Sequence, residues 1–182
     1  MIFHATDIDG AFVIDLERRE DERGFFARTY CDDEFAQQGL NTRWPQCNLS
    51  HSNCKGTLRG LHFQSPPEPD ARLIRVTRGR IFAVVLDLRA DTRGFGRHLC
   101  RTLSETDAAM LYVPVGCALG FQTLADGTDV FYQMSVRYRP ELARGVRWDD
   151  PTLGIAWPLA PSCISERDAE LPGLHDVAPF LT

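Results

Sequence analysis

The stretch Gly56-Thr57-Leu58-Arg59-Gly60-Leu61-His62-Phe63-Gln64 ends in alternating apolar and polar side chains, which predicts a β-strand. In such a strand the His62 ring points away from the face that carries Leu61 and Phe63. Arg59 comes three residues earlier, and Gly60 lets another backbone approach closely. An imidazole near an arginine suits proton transfer on an anionic substrate. For this segment alone, a histidine satisfied in a β-core and a surface arginine are an equally good interpretation.

Further short β segments lie at regular spacing on both sides of this strand. They are residues 11–17, 25–30, 44–50, 72–76, 80–89, 97–103 and 130–136. The small residues of 115–121 favour a tight corner. Helical patterns are limited to residues 32–38 and at most one short helix within 165–171. Many short strands with few helices predict an all-β barrel or sandwich.

Length and charge exclude several functional classes. A chain of 182 residues with 43% hydrophobic content can bury a full core, so we expect one domain over residues 1–182. Its net charge of −5 argues against nucleic acid or an anionic membrane as the main partner. No apolar run approaches the length of a membrane span, and Met1-Ile2-Phe3-His4 begins no signal peptide. We therefore expect a cytoplasmic protein.

The six cysteines contain no CxxC pair, so we expect free, mostly buried thiols without a chemical role. Polar residues at period two are more informative. Gln46, Asn48 and Ser50 would share one face of a strand. On a solvent-exposed face of a sheet these residues would indicate no particular function, whereas in a pocket they would offer hydrogen bonds to a polar ligand.

Several motifs follow one another in a specific order: Asp21-Glu22-Arg23-Gly24-Phe25-Phe26, Gln46-Cys47-Asn48-Leu49-Ser50, Leu58-Arg59-Gly60-Leu61-His62-Phe63-Gln64, Val113-Pro114-Val115-Gly116, Tyr138-Arg139-Pro140 and Gly154-Ile155-Ala156-Trp157-Pro158. Over roughly residues 13–168 this series resembles the dTDP-4-dehydrorhamnose 3,5-epimerase family. The resemblance implies a cupin-type jelly-roll barrel with a few short helices. It also implies a homodimer that exchanges N-terminal strands, and catalysis without a metal or other cofactor. Consistent with this, Leu61-His62-Phe63 lacks the His-x-His spacing of a metal-binding cupin.

The resemblance implies an enzyme of deoxysugar or polysaccharide synthesis. It would epimerise a nucleotide-linked 4-keto-6-deoxy sugar, of the dTDP-4-dehydro-6-deoxyglucose type, at C3, C5 or both. Such chemistry needs a base, a cation for the enolate and an acid opposite the base. By resemblance His62 is the base and Asp168 the carboxylate that orients it and stabilises its protonated form. Tyr132 matches the acid on the opposite face, although a half-buried strand tyrosine is the commoner fate of such a residue.

The resemblance also assigns contacts to the substrate, a nucleotide-diphosphate sugar. Arg59 lies where the family contacts the diphosphate or the sugar, and Arg72 matches a lysine near the ketone. Tyr138 fits a place near the nucleotide. Polar contacts to the same ligand are assigned to Gln46 and Asn48. A guanidinium can bind phosphate through two parallel hydrogen bonds.

Two further residues, Arg23 and Phe26, would reach the nucleotide from the partner subunit. Besides Arg72, three further positions differ from the family pattern. Leu119 replaces a histidine, Ala83 replaces an aspartate that accompanies it, and Arg28 replaces a glutamate. Besides epimerisation at both carbons, the sequence leaves open a single-site 3- or 5-epimerase, an isomerase of another 4-keto sugar nucleotide, and a non-catalytic sugar-nucleotide-binding jelly roll.

Overall fold

The computed structural model describes residues 1–90, 92 and 94–177. Its strands are β1 (Ile2–Ala5), β2 (Phe12–Asp15), β3 (Arg19–Asp21), β4 (Gly24–Phe26), β5 (Gln46–Ser52), β6 (Leu58–Gln64), β7 (Arg72–Arg78), β8 (Arg80–Asp87), β9 (His98–Ser104), β10 (Met110–Val113), β11 (Cys117–Thr123), β12 (Thr128–Met134) and β13 (Ala143–Gly145). Short helices are α1 (Asp32–Gln37), a 3₁₀ turn (Pro140–Leu142), α2 (Glu166–Ala169) and α3 (Leu174–Val177). Within the described residues, no helix has the length and apolar content needed to cross a membrane.

The strands form two antiparallel sheets and one small hairpin. The six-stranded sheet has the order β1-β2-β10-β7-β12-β5, and the five-stranded sheet has the order β13-β6-β11-β8-β9. Strands β3 and β4 pair only with each other among the described residues. The arrangement confirms the predicted all-β fold, a jelly-roll barrel of the cupin type.

Apolar side chains from both sheets meet in a core between them. That core contains Val13, Ile74, Val76, Leu111 and Val130 from one sheet and Ala83, Val85, Leu103, Leu119 and Phe121 from the other. A second cluster covers the outside of the five-stranded sheet with residues of the C-terminal part of the chain. A third packs α1 against the outside of the six-stranded sheet. Burial of this apolar surface is the main stabilising term of the fold.

The predicted corner at residues 115–121 is wrong. Only Gly116 turns the chain, with φ +81°, and Cys117–Thr123 is a strand whose seven residues are all buried between β6 and β8. Its small residues permit close packing instead of a bend. A Cβ on Gly120 would lie 2.7 Å from the Leu61 Cδ2 atom of the neighbouring strand.

Other local expectations differ less. Strand β1 precedes the segment predicted as the first strand, and α3 adds a second short helix to the C-terminal region. The cysteines are free, as expected, but they are not mostly buried. Three of them, Cys47, Cys54 and Cys163, are exposed and only Cys117 is fully buried.

Candidate active site

The backbone irregularity at Gly60 places Arg59 and His62 on the same wall of the barrel. In the β6–β11 ladder, His62 lies opposite Leu119 and Arg59 lies opposite Phe121. Three residue steps along β6 therefore match two along β11, which is a β-bulge. Gly60, with φ +103°, is the residue that accommodates it. In a regular strand the two polar side chains would point to opposite faces.

A buried carboxylate holds the imidazole. His62 Nε2 lies 2.7 Å from Asp168 Oδ1, and the other oxygen, Asp168 Oδ2, accepts a hydrogen bond from the Gly60 N–H at 3.0 Å. Asp168 belongs to α2, whose N-cap residue Ser165 accepts a hydrogen bond from the Asp168 N–H at 3.1 Å. The short helix thus positions the carboxylate beside the β-bulge, where it contacts both Gly60 and His62.

Electrostatics keeps this carboxylate ionised. Burial raises the pKa of Asp168, but the hydrogen bond and charge of His62 and the Gly60 N–H outweigh burial, so its pKa lies below the ordinary value. An ionised carboxylate only accepts hydrogen bonds. The Nε2 atom of His62 therefore carries the proton, and the Nδ1 lone pair is left to act as a base.

One cleft with two lobes contains this pair. Both lobes are lined by His62, Arg72, Tyr132 and Arg167. The larger lobe, of about 280 Å³, adds Ser50, Arg59, Ile74, Leu119, Phe121, Val130, Ser165 and Asp168. The smaller lobe, of about 100 Å³, adds Phe63, Gln64, Met134, Tyr138, Ala143 and Arg144. His62 comes from the five-stranded sheet and Tyr132 from the six-stranded sheet, so the two proton-carrying groups line opposite walls.

Apolar side chains close one part of the larger lobe. Ile74, Leu119, Phe121 and Val130 line it and also belong to the core between the sheets. This surface suits the deoxygenated part of a small ligand, because it offers no hydrogen-bond partner to a hydroxyl group. Leu119 is also the cross-strand neighbour of His62. Ala83 packs fully buried in the same core, so the two departures from the family pattern form one continuous apolar region.

The cleft is rich in guanidinium groups. Arg59 is held by Ser52 Oγ at 3.2 Å and by the His51 carbonyl at 3.0 Å. Of the carboxylates in the described part of the chain, only that of Asp168 lines a lobe, and it already binds His62. The resulting excess of positive charge matches a diphosphate-like anion.

Sequence reasoning missed two of these cations, Arg144 and Arg167. Arg167 lines both lobes and its Nη1 lies 3.4 Å from the Tyr138 hydroxyl. The sequence feature that could have identified Arg167 as a cleft residue is its position next to Asp168 on a short helix. That signal becomes useful only once the helix is known to dock against β6. Arg144 had no comparable signal.

The predicted polar face on β5 is present. In the register with β12, Asn48 lies opposite Tyr132 and Gln46 opposite Met134. Gln46 Nε2 donates to Asn48 Oδ1 at 3.1 Å, and Gln46 Oε1 accepts from the Tyr138 N–H at 2.9 Å. Gln46 and Asn48 thus share the Tyr132 face and help to hold Tyr138, whose side chain is exposed beside the smaller lobe.

Six predicted or flagged residues do not line either lobe: Gln46, Asn48 and Ala83, whose positions are given above, and Arg23, Phe26 and Arg28. Arg23 is exposed on the β3–β4 hairpin and pairs with Asp21 at 2.5 Å. Phe26 is 72% exposed. Arg28 pairs with Glu34 at 2.7 Å.

The cleft lining offers little to a metal ion. Among the described residues it brings together one imidazole and one carboxylate, and these bind each other. The group of side chains with metal-compatible spacing in the described residues, Cys31, Asp32 and Asp33, lies at the start of α1 and is not part of the cleft.

Comparison with known proteins agrees with the family resemblance of the sequence motifs. A family model described as dTDP-4-dehydrorhamnose 3,5-epimerase matches residues 5–176. An epimerase of that name from Methanothermobacter thermautotrophicus is 40% identical over 182 residues, covering 98% of this chain and 97% of the relative.

Solved structures agree with the family match. A dTDP-6-deoxy-D-glucose-3,5-epimerase from Legionella pneumophila, in complex with dTDP-4-keto-L-rhamnose, is 32% identical, with a TM-score of 0.92 and coverage of 99% of this chain and 96% of that one. A 3'-monoepimerase from Streptomyces bikiniensis, in complex with dTDP-quinovose, is 29% identical, with a TM-score of 0.90 and coverage of 97% and 89%.

Proposed function

The chain belongs to the dTDP-4-dehydrorhamnose 3,5-epimerase family, and from that membership we propose how its own residues carry out the reaction. It is an epimerase of a nucleotide-linked 4-keto-6-deoxy sugar, acting at C3, C5 or both. Both carbons adjoin the C4 ketone. Removal of a proton from either one gives an enolate, and protonation from the other face inverts the carbon.

His62 is the base in this proposal. Its Nδ1 atom takes the proton from the sugar carbon, and Asp168 stabilises the imidazolium that results. The observation that carries the assignment is the 2.7 Å contact between His62 Nε2 and Asp168 Oδ1, because it leaves Nδ1 as the basic nitrogen of a residue that lines the cleft.

Tyr132 is the acid and Arg72 the group that meets the enolate oxygen. Tyr132 lines the cleft from the sheet opposite His62, so a sugar ring between the two presents one face to each. Arg72 lines both lobes and supplies positive charge where the C4 oxygen becomes negative. The proton removed by His62 and the proton returned by Tyr132 balance each inversion.

The nucleotide part of the substrate, dTDP in the matched relatives, would lie toward the smaller lobe. Arg59 and Arg167 suit the diphosphate, whereas the exposed Tyr138 ring offers a stacking surface for the base. The amides of Gln46 and Asn48 add hydrogen-bond partners on the same face.

We also infer a single domain that works as a cytoplasmic homodimer. Phe25, Phe26 and Leu49 are large apolar side chains left exposed, which is typical of a surface that another subunit covers. In that dimer Arg23 and Phe26 reach the nucleotide of the partner.

Mixing His62→Ala with Arg23→Ala subunits tests this shared site. Each heterodimer would have one intact site, because one subunit keeps His62 and the other keeps Arg23. A random mixture should therefore regain about a quarter of the wild-type rate. Failure to recover any activity would contradict the shared site.

The experiment that tests the function uses dTDP-4-dehydro-6-deoxyglucose in heavy water. Wild-type protein should incorporate solvent deuterium into the sugar, measured by mass spectrometry, and folded His62→Ala should not. Tight binding of the sugar nucleotide without any deuterium incorporation by the wild type would instead indicate a non-catalytic binding protein.

A second candidate is epimerisation at one carbon only. The observation in its favour is Leu119, an apolar neighbour of His62 that supplies no second proton carrier. One deuterium per product molecule at completion would support a single-site enzyme, whereas two, together with inverted C3 and C5 centres in the product, would establish epimerisation at both carbons.

A further inference from the structure

We propose that Asp70 is a positioning residue of this enzyme, which fixes the guanidinium of Arg72 between the backbone of His62 and the substrate. The inference rests on the proposed function, in which Arg72 meets the enolate oxygen. It concerns a carboxylate outside the cleft lining, in the loop that leads into β7.

Asp70 is buried and both of its oxygens are used. Oδ2 accepts a hydrogen bond from Arg72 Nε at 2.5 Å, and Oδ1 accepts one from the Gln64 N–H at 2.9 Å. The side chains of Asp70 and Arg72 are 1% and 14% exposed, so the pair is shielded from water. A shielded, charge-assisted hydrogen bond restricts a long side chain more strongly than an exposed one does.

The rest of the guanidinium is divided between the protein and the cleft. Arg72 Nη1 donates to the backbone carbonyl of His62 at 3.2 Å. Nη2 has no hydrogen-bond partner in the described part of the chain, and Arg72 lines both lobes. Because a guanidinium is planar and rigid, fixing Nε and Nη1 also fixes the direction of Nη2. Asp70 therefore sets where the free N–H groups of Arg72 point.

This arrangement needs an arginine. A lysine has one ammonium group at the end of a flexible chain, and it cannot hold Asp70, the His62 carbonyl and a substrate oxygen with one fixed geometry. Asp70 thus acts on the reaction through Arg72, and also links the enolate-binding group to the backbone of the base.

The prediction is a strong coupling between Asp70 and Arg72. In Asp70→Asn the amide oxygen can still accept from the Gln64 N–H, but the charged acceptor of Arg72 Nε is lost. We expect kcat for deuterium incorporation to fall about 10- to 100-fold, as small misplacements of positioned groups do, with KM changed less than about threefold. In an Arg72→Met background, the same Asp70→Asn change should alter kcat less than about twofold.

The matched control is Glu68→Gln, which removes a carboxylate of the same loop that pairs with Arg139 on the surface. It should leave kcat unchanged. Equal losses from Asp70→Asn in both backgrounds would overturn the proposal and indicate a general structural role. Wild-type kcat in Asp70→Asn would also overturn it.

A second variant covers the case in which Asp70→Asn does not fold. Arg72→Lys keeps the charge, and the proposal expects a loss of kcat of about 10-fold or more with dTDP affinity unchanged. Wild-type kcat in Arg72→Lys would contradict it. Absence of deuterium incorporation in the wild-type protein is a different result, because it would refute the proposed function before Asp70 is considered.

Discussion

The Asp168 carboxylate joins the imidazole of His62 to the strand that carries it. One oxygen lies 2.7 Å from His62 Nε2, and the other accepts the Gly60 N–H at 3.0 Å. The same carboxylate therefore selects the imidazole tautomer and holds the β-bulge beneath it. Catalytic geometry and local backbone geometry depend on one side chain.

Replacement of Asp168 by asparagine should separate activity from folding. The amide has one acceptor oxygen for two donors, so either the His62 Nε2–H or the Gly60 N–H loses its acceptor, and an amide NH2 facing Nε2 favours the tautomer with the proton on Nδ1. We expect deuterium incorporation to slow by about 10²-fold or more, within the range that general acid–base groups contribute. The check is a rate measurement at saturating substrate with circular dichroism as the fold control. An unchanged rate would show that the carboxylate does not orient the base.

Asp168 should also contribute to acid sensitivity. Its pKa is below the ordinary value in the folded protein, so its ionised form stabilises the fold above pH 3.8, the ordinary pKa. That contribution is lost as the pH falls through the lower, folded-state pKa. Urea unfolding from pH 6 downward should show a steeper loss of unfolding free energy for the wild type than for Asp168→Asn. Parallel pH profiles would contradict this.

Gly60→Ala should damage both stability and activity. A Cβ there would lie 2.7 Å from Gly120 Cα and from the Leu119 carbonyl oxygen, and the residue has φ +103°. Backbone strain alone costs about 1–3 kcal/mol, and the contacts add to it. Gly39→Ala is the control, because Gly39 has φ +70° but no atom within 4 Å of the added Cβ. Thermal unfolding should therefore shift much more for Gly60→Ala, and equal shifts would count against the close approach.

Cysteine reactivity offers a test of the fold that is independent of catalysis. Burial raises the pKa of the Cys117 thiol to about 12, so almost none of it is thiolate at pH 8.5. Iodoacetamide should modify the exposed Cys47, Cys54 and Cys163 in the native protein and leave Cys117 unmodified. In urea all six should react. Rapid labelling of Cys117 without denaturant, seen by peptide mapping, would argue against β11 as a buried strand.

Local patterns in the sequence predicted which faces of the strands carry the polar side chains, whereas the roles proposed for the site residues came from the family resemblance. Period-two alternation identified the faces of Gln46, Asn48 and Tyr132, because strand geometry depends only on neighbouring residues. The bulge at Gly60 could not be predicted in this way, since it is defined by the register with β11. The small residues of β11 were interpreted as a corner, but Gly120 is small because the side chain of Leu61, on the neighbouring strand, leaves no room for a Cβ. Leu61 is distant in sequence, so local patterns do not reveal this contact.

Charged residues of the cleft were likewise hard to predict where their position depends on contacts between segments that are distant in sequence. Asp168 was identified through the family resemblance, yet Arg167 beside it was missed because its place in the cleft depends on the docking of α2. The orientation of the Arg72 guanidinium by Asp70 likewise involves a contact between strands, because Arg72 Nη1 also donates to the backbone carbonyl of His62. Arg23 and Phe26 line neither lobe of one chain, so their proposed contact with the nucleotide requires a partner subunit, which the subunit-mixing experiment tests.

The most direct test of the account compares His62→Ala with Tyr132→Phe in heavy water, using proton NMR of dTDP-4-dehydro-6-deoxyglucose. If His62 is the base and Tyr132 the acid on the opposite wall, folded His62→Ala should exchange neither the C3 nor the C5 proton. Tyr132→Phe should still exchange at least one of them, but with the configuration retained. Exchange at the wild-type rate in His62→Ala, or inversion at the wild-type rate in Tyr132→Phe, would contradict the central claim.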